Sequence, residues 1–111
     1  MPRDCKVYLE DILAAIRKIR RYTAGLSLNL LARDERTFDP VVRNLEVIGE
    51  AAKKIPEEVR ARHGNVDWKR ISSLRDILIH EYFGVDPEIV WDIVENKLPV
   101  LEEQVEKILA E

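Results

Sequence analysis

Apolar side chains recur at helical spacing over most of this chain. Over residues 4–22, Tyr8, Leu9, Ile12, Leu13, Ala15, Ile16 and Ile19 recur with the period of a helix, while Glu10, Arg17 and Arg21 take the other side. That pattern describes an amphipathic helix with one face to bury. It returns in Val41, Leu45, Ile48, Ala52 and Ile55, and again in Trp68, Ile71, Leu74, Leu78, Ile79 and Tyr82. With 4 glycines and 5 prolines in 111 residues, the composition lacks the turn-rich texture of a sandwich or barrel. The expected fold class is all-α.

Punctuation divides the pattern into elements. Gly25 ends the first helix, and residues 27–32 offer a short helical piece before the charged connector Arg33-Asp34-Glu35-Arg36. Asp39-Pro40 reads as a cap followed by proline in the first helical position, opening a second helix that runs to about residue 55, where Pro56 stops it. A further helical turn is expected over 57–62. After the loop His63-Gly64-Asn65, Asp67 caps a third long helix over 68–83, closed by Gly84. Asp86-Pro87 repeats the cap-and-proline sign for a fourth helix, which Pro99 kinks or divides. The expected architecture is a four- to five-helix up-and-down bundle formed by a single domain over residues 1–111.

Hydrophobic residues at 46% and charged residues at 35% imply one packed core under a heavily charged surface, and argue against disorder. A net charge of −3 from 18 basic and 21 acidic residues removes the simple case for a basic nucleic-acid binder. The total hides an asymmetry. Residues 1–22 carry six Lys and Arg against three acids, whereas residues 86–111 carry eight acids against Lys97 and Lys107, so a polyanion should avoid the C-terminal helix. The lone Cys5 has no partner for a disulfide and no metal-ligand spacing around it, which fits a reducing cytoplasm. No apolar run approaches the roughly 20 residues that span a bilayer, so no membrane association is expected.

Two polar residues sit oddly on the third helix. On an ideal wheel Arg75 falls in the middle of the apolar arc, and burying a permanently charged guanidinium there would cost several kcal/mol unless an acid or an anionic ligand meets it. Either it pairs with a carboxylate, or it waits in a cleft or subunit seam for a phosphate, which its planar fork suits. His80 lies near the C-terminal end of the same helix with Asp76 one turn earlier. That carboxylate and the helix dipole favour the imidazolium. A solvated surface pair would look the same. Five residues turn an ideal helix so that Arg75 and His80 point about 140° apart. Either the helix distorts, or a symmetric dimer joins the groups across its seam.

On the second helix Asn44 projects from the buried side, where it either fixes register between helices or stands beside Arg75 and His80. Gly49, costly inside a helix, points to close approach by another backbone. His63 and His80 lack a spacing that recommends them as metal ligands, and no phosphate-cradling glycine loop, nucleophile elbow or paired-cysteine motif is present. No metal or other cofactor is called for. Trp68 and Trp91 read as core or interface aromatics.

The run Arg75-Asp76-Ile77-Leu78-Ile79-His80-Glu81-Tyr82 spells Arg-x-x-x-x-His-x-Tyr and resembles the signature of the HEPN superfamily in its HepT toxin branch. Val42-Arg43-Asn44-Leu45-Glu46-Val47-Ile48-Gly49-Glu50-Ala51 is similar to the second helix of that family, and Trp68-Lys69-Arg70-Ile71 leads into the motif as in its members. The similarity runs from the first helix to about Leu101. It implies a helical, homodimeric, metal-independent endoribonuclease, the toxin of a type VII toxin–antitoxin pair.

By that resemblance Arg75 holds the scissile phosphate and His80 moves protons as the ribose hydroxyl attacks, leaving a cyclic phosphate; Asp76 and Asn44 are the supporting candidates that their own positions suggest. The implied antitoxin is a minimal nucleotidyltransferase of the MNT type, which attaches AMP to the motif tyrosine, here Tyr82. Seven residues return a helix to within about 20° of the same direction, so AMP there would put bulky negative charge on the face of Arg75 and repel RNA. The alternative is a non-catalytic helical subunit that partners a nucleotidyltransferase or presents substrate to it.

Overall fold

Two long helices, α1 (Arg3–Thr23) and α3 (Glu35–Lys53), pack on each other more extensively than any other pair in the computed structural model of the protein, which describes residues 3–79 and 85–111. Their facing stripes are the ones their periodicity predicts. Leu9, Ile12, Ile16 and Ile19 of α1 meet Val41, Leu45, Ile48 and Ala52 of α3, all buried in one core cluster. Burying each of the leucine, isoleucine and valine side chains supplies about 1.5–3 kcal/mol. The remaining elements are α2 (Leu28–Arg33), α4 (Glu57–Arg62), α5 (Trp68–Ser72), α6 (Leu74–Ile79), α7 (Pro87–Asp92), a π turn (Ile93–Lys97) and α8 (Leu98–Leu109). Every element among the described residues is helical, as the composition predicts.

Local signals place most boundaries. Gly25 adopts φ 77°, a left-handed conformation open to glycine, and turns the chain out of α1. Ser27, Asp67 and Asp86 cap α2, α5 and α7 by accepting from the backbone N–H of Leu30, Arg70 and Glu88. The helical turn expected over 57–62 is α4. Pro99 divides the last helical stretch: the Leu98 N–H reaches back five residues to the Ile93 carbonyl, and this widened turn sets Pro99 in the first turn of α8.

The start of α3 differs from the expected one. The helix begins at Glu35, capped by Asp34, whose Oδ1 accepts from the Arg36 N–H at 3.1 Å and whose Oδ2 accepts from the Thr37 hydroxyl at 2.8 Å. Asp39-Pro40 therefore lies inside the helix. Proline fits helical φ, and near an N-terminus its missing N–H deprives the helix of only one hydrogen bond. The earlier cap satisfies the first turn and carries the helix through.

The charge asymmetry resolves into a seam between α1 and α8. Arg17 of α1 lies 3.2 Å from Glu106 and 3.5 Å from Glu102, and Arg20 also reaches Glu102. Between those two glutamates on α8, Gln104 Nε2 donates to the Asn65 carbonyl at 3.0 Å, and past the end of α8 Glu111 Oε1 stands 3.5 Å from His63 Nε2. Trp68 is buried, its indole N–H donating to the His63 carbonyl at 3.0 Å, and half-buried Trp91 packs against the core. Cys5 is buried in α1, and burial pushes its thiol pKa up, which disfavours the reactive thiolate. Among the described residues, no helix is long and apolar enough to cross a membrane.

Candidate functional site around Arg75

A break in the third helical stretch decides where Arg75 points. The expected continuous helix over 68–83 instead ends at Ser72, and α6 restarts at Leu74 after Ser73, whose φ −91° and ψ 2° leave helical geometry. The Ser72 hydroxyl donates to the Trp68 carbonyl and the Ser73 hydroxyl to the Lys69 carbonyl, each at 2.7 Å. Such back-bonding competes with the helical ladder and bends helices. Trp68 and Ile71 therefore no longer share a wheel with α6.

Within α6 the inward direction is set by Leu74 and Leu78, which are 5% and 1% exposed. Arg75 and Ile77 each lie about 80° from the mean of that pair, on opposite flanks. The side chain of Arg75 is 55% exposed. Its expected place in the middle of an apolar arc is thus corrected: it rests on the polar margin of α6, because the arc drawn through Trp68 and Ile71 depended on a helix that the serine doublet interrupts.

Gly49 makes the contact that brings α6 onto α3. A Cβ at that position would stand 3.3 Å from the Ile71 carbonyl oxygen, 3.5 Å from Leu74 Cβ and 3.6 Å from the Arg75 backbone nitrogen. The close backbone approach predicted for Gly49 is therefore present, and its neighbour is the break itself. The next residue on α3, Glu50, places Oε1 3.7 Å from Arg75 Nη1 and 3.7 Å from Lys53 Nζ. Sequence reasoning missed Glu50; the available signal was its adjacency to the glycine that admits α6.

The Arg75–Glu50 pair is loose. Its separation exceeds hydrogen-bond contact, and both side chains are about half exposed. Water screens such a pair to about 0–1 kcal/mol, and a guanidinium has five N–H donors, so the fork can engage an external anion. This site offers a fixed positive charge suited to a phosphate. Moving a proton requires a second group.

The other predicted residues are placed as follows. Asp76 is exposed in the first turn of α6. Asn44 is half-buried, and its side-chain N–H donates at 2.9 Å to the Pro40 carbonyl in its own helix. That bond is local to α3, in place of the inter-helix register contact considered for it. His80 and Tyr82 lie outside the described residues. Among the described residues no group of three or more His, Cys, Asp and Glu is arranged to hold a metal ion. On the Ile77 flank a groove of about 520 Å³ runs between α5–α6 and α7–α8, with Ile71, Ile77, Ile93 and Val100 in its lining.

Residues 12–108 match the family described as Ribonuclease HepT-like. The chain is 42% identical over 110 residues to a Methanocaldococcus jannaschii protein named as a candidate RNase, covering 98% of this chain and 91% of that one. It is 43% identical to a Caldanaerobacter subterraneus protein likewise named as a candidate RNase, over 92% and 91% of the two chains. A Thermococcus cleftensis protein named as a candidate ribonuclease HepT is 40% identical, over 97% and 98%. No solved structure matches.

Proposed function

The chain belongs to the HepT-like ribonuclease family, and from that premise we propose that it is a metal-independent endoribonuclease, the toxin of a type VII toxin–antitoxin pair. The observation that carries this reading is Arg75: a permanent cation on the margin of α6, with a single loose acid partner among the described residues, inside an intact Arg-x-x-x-x-His-x-Tyr run.

In the proposed reaction the Arg75 fork binds the scissile phosphate through its non-bridging oxygens and stabilises the charge that builds on them. His80 takes the proton of the ribose 2′-hydroxyl as that oxygen attacks phosphorus. The P–O5′ bond breaks, a 2′,3′-cyclic phosphate forms, and the leaving 5′-oxygen takes up the proton that His80 accepted, which restores the neutral imidazole. All of these groups come from the protein or the RNA, which is why the chemistry requires no metal. On an ideal helix five residues would set Arg75 and His80 about 140° apart, and a symmetric homodimer in which each protomer lends one group to a shared seam would answer that separation. Control falls to an MNT-type nucleotidyltransferase that transfers AMP to the Tyr82 hydroxyl, adding negative charge beside Arg75.

The test is cleavage of total cellular RNA by the purified protein in excess chelator. Wild type should cut and leave cyclic phosphate ends, whereas Arg75→Ala and His80→Ala should lose about 10²–10³-fold in rate, the scale of removing one charge-stabilising or proton-moving group. Unchanged cleavage in both variants, or none in wild type, would contradict the nuclease. If the variants instead lost only nucleotidyltransferase binding, the chain would be a non-catalytic partner subunit. With that partner and ATP, AMP mass should appear on wild type and be absent from Tyr82→Phe.

A further inference from the structure

Arg75 has an acid opposite it that the proposed chemistry does not use. Glu50 stands on α3 one residue after Gly49, and Gly49 is where the backbone of the α5–α6 break comes against α3. Residue 49 therefore sets how near α6 can lie, and residue 50 presents a carboxylate to the first turn of that helix. The resulting 3.7 Å pair is open to water on both sides. It can hold the fork without sealing it, since buried ion pairs resist separation and exposed ones exchange readily.

Lys53 makes release easier still. Its Nζ lies 3.7 Å from the same Glu50 oxygen, so the carboxylate keeps a cation beside it when Arg75 turns to another anion. Glu50 and a phosphodiester then compete for one guanidinium, both presenting oxygens to the same donors.

We propose that Glu50 is the resident counter-ion of Arg75, a positioning residue that holds the guanidinium against α3 in the free protein and is displaced by the RNA phosphate. This rests on the role assigned to Arg75 above. Because Glu50 acts in the free protein and leaves the fork once RNA is bound, it governs how readily phosphate is taken and leaves the chemical step alone. In the terms of steady-state kinetics it acts on KM and spares kcat.

Glu50→Gln keeps the shape and removes the charge. At low salt it should lower KM for single-stranded RNA about threefold, within the range an exposed ion pair allows, with kcat unchanged within about twofold. Glu46→Gln makes the same change of net charge one turn earlier on α3 and should leave KM near the wild-type value. An unchanged or raised KM in Glu50→Gln, or an equal fall in Glu46→Gln, would overturn the proposal, the latter by showing only a general charge effect. A second readout needs no catalysis. The Arg75 Nε–H resonance, assigned by its loss in Arg75→Lys, should move in Glu50→Gln and respond to inorganic phosphate at about threefold lower concentration than in wild type. A resonance indifferent to Glu50 would overturn the pair. Should wild type fail to cleave RNA, the nuclease reading falls by itself while this resonance still tests the counter-ion.

Discussion

Among the described residues, arginine meets glutamate across helices in two places, with opposite character. At the α1–α8 seam, Arg17 and Arg20 converge on Glu102, only 14% of whose side chain is exposed, and Arg17 also meets Glu106. At the α3–α6 contact, Arg75 meets a single acid among the described residues, Glu50 at 3.7 Å, with both ends about half open. The first is a network whose partly desolvated acid has two cations, so its geometry belongs to helix packing. The second is a single screened pair laid over a glycine seat. An arginine with converging acids is committed to the fold, while one with a loose acid stays available to a ligand.

The largest effect that can break this comparison is complementation between protomers. Arg75→Ala and His80→Ala should each be inactive alone, yet a 1:1 mixture allowed to exchange subunits should recover about a quarter of wild-type cleavage. Half of the dimers would be mixed, and each of those would hold one intact site out of two. No recovery on verified exchange would place both groups in one protomer.

The α1–α8 seam should answer in stability. Glu102→Gln is expected to cost about 1–2 kcal/mol, since it leaves two arginines without their shared, partly buried acid, and to lower Tm by several degrees without altering RNA cleavage. A loss of cleavage with unchanged Tm would invert the roles of the two regions. Added salt should narrow the Tm difference.

Gly49→Ala tests the seat. Alanine favours the helix by about 1 kcal/mol, but its Cβ would press on the Ile71 carbonyl at 3.3 Å, and overpacking of this kind costs about 1–3 kcal/mol. A net loss of about 1 kcal/mol is expected, read by denaturant unfolding, with a several-fold fall in cleavage as α6 moves away from α3. Unchanged cleavage would show that the close approach serves packing alone. The smallest expected effect is that of Arg75→Ala on stability, below about 0.5 kcal/mol because the pair it removes is screened. A Tm loss as large as that of Glu102→Gln would mark Arg75 as a structural residue.

Much of this was legible because it is local. Caps at Asp67 and Asp86, the helix end at Gly25, the division before Pro99 and the apolar stripes of α1 and α3 each depend on residues within one or two turns. Gly49 was legible as a close approach because a mid-helix glycine is costly without one. The site was legible in kind and misdrawn in orientation. Arg75 stood out as a cation among apolar neighbours, but that neighbourhood assumed an unbroken helix, and the Ser72-Ser73 doublet was the unread sign that it breaks. Similarly, Asp39-Pro40 was a plausible start, overruled by the stronger cap at Asp34 five residues earlier.

From the amino-acid order alone came the all-helical class, most helix ends, the core faces and the arginine to which the proposed function assigns the phosphate, because hydrogen-bond geometry and 3.6-residue periodicity act over short distances. Only the tertiary structure decided which acids the arginines meet. Glu102 and Glu50 lie 85 and 25 positions from Arg17 and Arg75, and nothing within a turn or two of either arginine selects them. Their pairing follows from how helices lie against one another, a matter of the packed core and of one glycine that lets α6 come near.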